Sequence, residues 1–231
     1  MIGTQNWIKL ILGLLLGWGF GLSVPAAVRR IAVYKNEQRG QDTPADIMSD
    51  RSRKLLAVGA DILLTTLVCI LLAPAEAILA VCMVQVSIVC IFVDGYMHII
   101  PNEAILVLLV LAVAYRVIAE GFASLLGSLA ALGLVLAIFG GCAVYMKLRK
   151  GNTGVGAGDL KYAMVLALAF GWDNIFWFLG GTAAALIVYC GIGLYTRRLT
   201  AQTSFPMCPH LSVGLYTALL LPPLFPAFSL L

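Results

Sequence analysis

Apolar residues in this chain run almost without interruption for stretches of about twenty, and polar residues gather between the runs. The runs cover residues 7–28, 55–73, 75–93, 103–119, 122–146, 160–170, 175–196 and 211–230. At 1.5 Å per residue most of them rise far enough to cross a hydrocarbon core of ~30 Å. The pattern predicts an all-α, polytopic transmembrane helical bundle of about eight spans. The stretch after Asp159 is the shortest of them. The first run resembles the apolar part of a signal peptide, but it exceeds the roughly 7–15 residues usual there and more spans follow. It is expected to be a retained helix.

Composition agrees with lipid as the solvent. Of 231 residues, 61% are hydrophobic and 11% charged, against roughly 25% charged in a soluble domain. One membrane-embedded domain over 1–231 is the economical expectation. The net charge of +4 matters less than its placement. With the polar stretch 29–54 in the cytoplasm, the stretches 94–102, 147–161 and 197–210 fall on the same side. Together they hold 13 of the 15 Lys and Arg. Lys9 and Arg116 are the other two, and Glu76, Glu120 and Asp173 stand on the opposite side. That asymmetry predicts a multi-pass protein of the cytoplasmic (inner) membrane with both termini away from the cytoplasm. The stretch 29–54 reads as a short solvated loop with, at most, a weak attraction for anionic lipid head groups. Beyond the lipid bilayer, no nucleic-acid partner is expected.

Two carboxylates stand where this topology brings helix ends to the cytoplasmic boundary. Asp94 closes the third run, in Val93-Asp94-Gly95, and Ile100-Pro101-Asn102 follows. Proline disfavours helix just before itself and suits the first turn of a new one, so this element is expected to open the fourth span. Asp159 ends the glycine-rich run Gly151-Asn152-Thr153-Gly154-Val155-Gly156-Ala157-Gly158. Those glycines let another backbone approach closely. Acids at the mouth of a membrane segment are expensive and therefore functional candidates. Taken alone, Asp94 also reads as a helix-terminal acid in the head-group region, paired with Lys161. Held together, two carboxylates cannot both ionise and come to share a proton. The ionised one then activates water, while the protonated one polarises a peptide carbonyl and protonates the leaving amine. Neither metal nor cofactor is needed.

With these residues the chain resembles the type IV prepilin peptidases, membrane aspartic proteases of the Gly-x-Gly-Asp kind. Their first Asp, followed seven residues later by the proline of an Ile/Leu-Pro-Asp/Asn element, is matched by Asp94 with Ile100-Pro101-Asn102. Their Gly-x-Gly-Asp-x-Lys motif is matched by Gly156-Ala157-Gly158-Asp159-Leu160-Lys161, and Phe205-Pro206-Met207-Cys208-Pro209-His210 echoes a late proline-aromatic element. The resemblance implies endoproteolysis of pilin-like precursors. The cut removes a short basic leader on the cytoplasmic side, after a glycine and just ahead of the substrate's apolar helix. It makes Asp94 and Asp159 the catalytic pair, Gly156 and Gly158 motif residues that shape the site, and Lys161 an electrostatic neighbour. Which Asp is the base is not assigned, because a coupled pair titrates jointly. Many members of that family also carry two Cys-x-x-Cys pairs in the first cytoplasmic loop and N-methylate the new terminus with S-adenosylmethionine. The stretch 29–54 contains no cysteine, so neither a zinc module nor methyl transfer is expected.

Other residues compete for a role. Asp61 lies about two turns into the second span and either faces the same cytoplasmic cavity or is a buried, hydrogen-bonded or protonated acid. His98 and His210 offer no metal-ligand spacing. Cys69, Cys82, Cys90, Cys142 and Cys190 lie in apolar runs as small packing residues. Trp7, Trp172 and Trp177 suit interfacial anchoring. The rival function is a proton- or ion-coupled transporter using Asp61, Asp94 and Asp159. Against it stand the clustering of the acids at one boundary and the lack of an internal repeat. A third reading is a secretion scaffold with inactive motifs.

Overall fold

The computed structural model describes residues 4–42, 46–150, 156–197 and 205–225. Among these the chain is entirely helical. The helices are α1 (Thr4–Arg39), α2 (Arg51–Leu71), α3 (Pro74–Met97), α4 (Asn102–Glu120), α5 (Leu125–Lys150), α6 (Ala157–Tyr195) and α7 (Cys208–Leu224), with one 3-10 turn at Phe122–Ser124. Six of them, α1 to α6, are long and apolar enough to cross a membrane. The chain forms two compact units, Met1–Ala104 and Ile105–Leu231.

In the first unit, α1 runs past the expected end of its span. It continues through Arg29 and Arg30 to Arg39, and α2 opens at Arg51, so the expected loop over 29–54 shrinks to the residues between two helices. The physical reason is the way the helix stops. Gly40 takes φ 63°, its N–H donates to Glu37 O at 3.1 Å, and the Gln41 N–H donates to Asn36 O at 3.0 Å. This paired closure satisfies carbonyls that a helix end would leave open. At the start of α2 the Asp50 carboxylate accepts from the Ser52 N–H at 2.9 Å, an N-cap.

α1 and α2 run antiparallel with their backbones in contact. A Cβ on Gly13, Gly17 or Gly21 would lie 2.7, 2.6 or 2.9 Å from the Cα of Thr66, Ile62 or Val58. Small residues at four-residue spacing are how membrane helices come this close without a hydrophobic driving force. Beyond that seam, Lys9 Nζ donates to Leu72 O at 3.0 Å just past the end of α2. α3 packs on both helices, with Ala80, Val84, Ser87 and Ile88 buried.

In the second unit, α6 joins two of the expected spans into one element that doubles back. Gly171 has φ 58° and ψ −167°, outside helical geometry. Thr217 Oγ1 of α7 donates to Trp177 O at 2.9 Å, and the rings of His210 and Tyr189 lie 4.9 Å apart, so α7 is antiparallel to residues 172–195. Tyr162 nonetheless meets Ser212 of α7 at 3.1 Å, and Phe170 stacks on Phe178 at 6.3 Å. A straight rod would hold Tyr162 more than ~30 Å from that level of α7. Residues 157–170 and 172–195 are therefore two limbs lying side by side. α7 opens at Cys208, ahead of the expected residue 211. Its 17 residues rise only ~25 Å.

Candidate functional site

Asp94 stands in the last turn of α3 and is buried. The helix ends there through His98, whose φ of 51° and ψ of 41° are left-handed and whose N–H donates to Asp94 O at 2.9 Å. Ile100 and Pro101 are buried, and α4 opens at Asn102 directly after the proline, as the ring geometry requires. The end of α3 is tied to the segment joining α1 and α2. The Met48 N–H donates to Tyr96 Oη at 3.0 Å, and the Arg53 guanidinium lies over the Tyr96 ring at 5.0 Å. Lys35 of α1 pairs with Glu103 at 2.7 Å. Beside this end lies a polar cavity of about 250 Å³, lined by residues that include Asn36, Arg39, Tyr96 and Met97.

Asp159 occupies the first turn of α6 and is half-buried. A carboxylate there faces the positive end of the helix dipole. Gly156 precedes the helix with φ −67° and ψ 137°, angles any residue can adopt. What glycine leaves there is space: a Cβ at 156 would lie 2.6 Å from Asp159 Oδ2 and would displace that oxygen. Gly158 is half-buried and Lys161 exposed. Gly151 to Val155, the rest of the glycine run, fall outside the described residues.

Each aspartate lies at the basic end of its own unit. In the first, the end with Asp94 carries Arg29, Arg30, Lys35 and Arg39 of α1 and Arg51, Arg53 and Lys54 of α2, while Lys9 and Glu76 mark the other end. In the second, Lys147, Arg149, Lys161 and Arg197 share an end with Asp159, opposite the reversal at Gly171.

Asp61 is not part of either end. It is fully buried, its Oδ1 accepting from Thr65 Oγ1 at 3.0 Å and from Gln85 Nε2, while its Oδ2 has no partner among the described residues. Gln85 precedes Asp94 by nine residues on α3, ~13 Å along the axis. Its burial and its two hydrogen bonds fit the reading of Asp61 as a buried, hydrogen-bonded acid. His210 packs edge-on against Tyr189 and Phe205, and His98 is exposed.

One residue to which the sequence reading gave no role has a larger part. Arg116 of α4 is buried. It pairs with Glu120 Oε1 and Asp173 Oδ2, both at 2.6 Å, and donates to Phe170 O at 3.2 Å. That carbonyl is freed where the first limb of α6 ends. A Cβ on Gly171 would lie 2.5 Å from the guanidinium, so the positive φ and the arginine together demand glycine. The signal was a lone arginine in an apolar run, which calls for a partner.

Asp94 and Asp159 thus each stand at a helix end, and Gly156 leaves room beside the Asp159 carboxylate. Residues 80–192 match the type IV leader peptidase family. No curated protein and no solved structure matches the chain. The matched residues carry both Asp94 with Pro101-Asn102 and Gly156-Ala157-Gly158-Asp159-Leu160-Lys161. This match, over just under half of the chain, supports assigning the chain to the type IV leader peptidase family, a family of peptidases, and six of its helices are long and apolar enough to cross a membrane.

Proposed function

We propose that the protein is an aspartic endopeptidase of the cytoplasmic membrane that removes the short basic leader of prepilin-like precursors, with Asp94 and Asp159 as the water-activating pair. The observation that carries this reading is that each aspartate occupies a helix end at the basic pole of its own unit. Under the positive-inside rule those poles face the cytoplasm. A substrate with a basic leader and an apolar helix presents its junction at that depth.

In the proposed reaction the two carboxylates share one proton. The ionised one takes a proton from water as the oxygen attacks the scissile carbonyl; the protonated one donates to that carbonyl and, on collapse, a proton passes to the leaving amine. Gly156 keeps the space beside Asp159 clear, Gly158 and Lys161 shape the approach, and Pro101 and Asn102 fix the corner that follows Asp94. A transporter is not favoured, since the family match is to peptidases.

Purified protein mixed with a precursor bearing a basic leader, a glycine and an apolar helix tests this. Asp94→Asn and Asp159→Asn are each expected to lower cleavage roughly a thousandfold or more, as loss of a group acting in concert does. If both variants cut at the wild-type rate, the aspartate mechanism is wrong.

A further inference from the structure

The first turn of α6 carries the proposed reactive group where the helix enters the packed interior of its unit. Gly156 gives no side-chain cap, and Gly156, Ala157 and Lys161 are exposed. Gly158, Asp159 and Leu160 are half-buried. The first fully enclosed side chain is Tyr162, one turn beyond Asp159. Residues three apart share a helix face, so what holds Tyr162 also sets the rotation of Asp159.

Tyr162 is held by a hydrogen bond as well as by packing. Its hydroxyl and Ser212 Oγ of α7 lie 3.1 Å apart, and Ser212 itself is fully buried. Ser212 Oγ in turn lies 4.0 Å from Cys208 Sγ in the first turn of α7. Packing alone would accept phenylalanine and alanine here. A buried hydroxyl pair has one satisfied geometry and penalises others.

We propose that Tyr162, acting through Ser212, is a positioning residue for Asp159: the bond fixes the depth and rotation of the turn on which the carboxylate stands. The inference rests on the aspartate reading above. The limb stays folded without the hydroxyl, because Ala163, Leu166 and Ala167 remain buried on it. What is lost is the alignment of a reacting group, and a misplacement on the order of 1 Å can reduce turnover by about a hundredfold.

The test uses the full chain in lipid nanodiscs with the same precursor. Variants are Tyr162→Phe, Ser212→Ala, the double variant, Asp159→Asn, and Leu219→Ala as a packing control on α7. Each single hydroxyl variant is expected to lower kcat about tenfold with KM unchanged and little change in melting temperature, and the double variant to be no slower than either single. Leu219→Ala is expected to lower the melting temperature while kcat stays. Wild-type kcat in both Tyr162→Phe and Ser212→Ala, with Asp159→Asn inactive, overturns this inference and leaves the aspartate reading standing. So do additive losses, or kcat losses that track the fall in melting temperature in every variant, Leu219→Ala included. Wild-type cleavage by Asp159→Asn removes both.

Discussion

A methyl group at position 156 and the carboxylate of Asp159 compete for one volume, 2.6 Å apart, although the backbone there would accept any side chain. The glycine therefore serves its neighbour's oxygen. Gly156→Ala is expected to push that oxygen aside and lower kcat roughly 10- to 100-fold, with helix content by circular dichroism unchanged. Gly95, beside the other aspartate, has nothing within 4 Å of its Cβ position. Gly95→Ala should leave the cleavage rate as it is. At this scale spacing and residue type single out the two acids, the family resemblance adds the motif glycines, and the structure sets each acid at a helix end. Which glycine lies against the carboxylate was not legible, because that depends on how the Asp159 side chain turns back over the start of its own helix. Tyr162 was equally hidden, since no local pattern announces a partner fifty residues away.

Long apolar runs announced the helices, and Pro101 announced the corner before α4. Helix ends were harder to read, because a hydropathy pattern reports where lipid stops, and a helix can continue into water. α1 does so to Arg39, where Gly40 closes it. The reversal of α6 shows a second limit. A turn was expected between residues 170 and 175, but its compression to one residue depends on a cation from α4 reaching the freed carbonyl of Phe170. Sequence offered Arg116, Glu120 and Asp173 as three charges without saying that they meet. Arg116→Met should destabilise by roughly 2–4 kcal/mol, toward the lower side for a broken buried pair because Glu120 and Asp173 reach water. Gly171→Ala should be worse, since alanine at φ 58° and ψ −167° is strained and its methyl meets the guanidinium. Unfolding of purified variants in mixed micelles checks both, with the order of severity as the decisive outcome.

At the scale of the molecule, charge is the simplest organiser. Each compact unit has one strongly basic pole, and those poles were readable from the count of Lys and Arg between runs. The two runs expected over 160–170 and 175–196 correspond to the two limbs of α6 on either side of Gly171. Orientation can be measured in a cysteine-free variant carrying single cysteines. Arg51→Cys and Arg197→Cys should react with an impermeant maleimide only from the cytoplasmic face, and Phe122→Cys, in the highly exposed turn before α5, only from the other. Labelling of Arg51→Cys from outside would invert the proposed topology.

The first limb of α6 has a physical consequence for its surroundings. Its fourteen residues, 157–170, rise ~21 Å, while the hydrocarbon of an ordinary bilayer is ~30 Å deep. Most of that rod is enclosed by protein, with Tyr162, Ala163, Leu166, Ala167 and Phe170 buried, so it is neighbouring helices and not lipid that must make up the shortfall of ~9 Å around it.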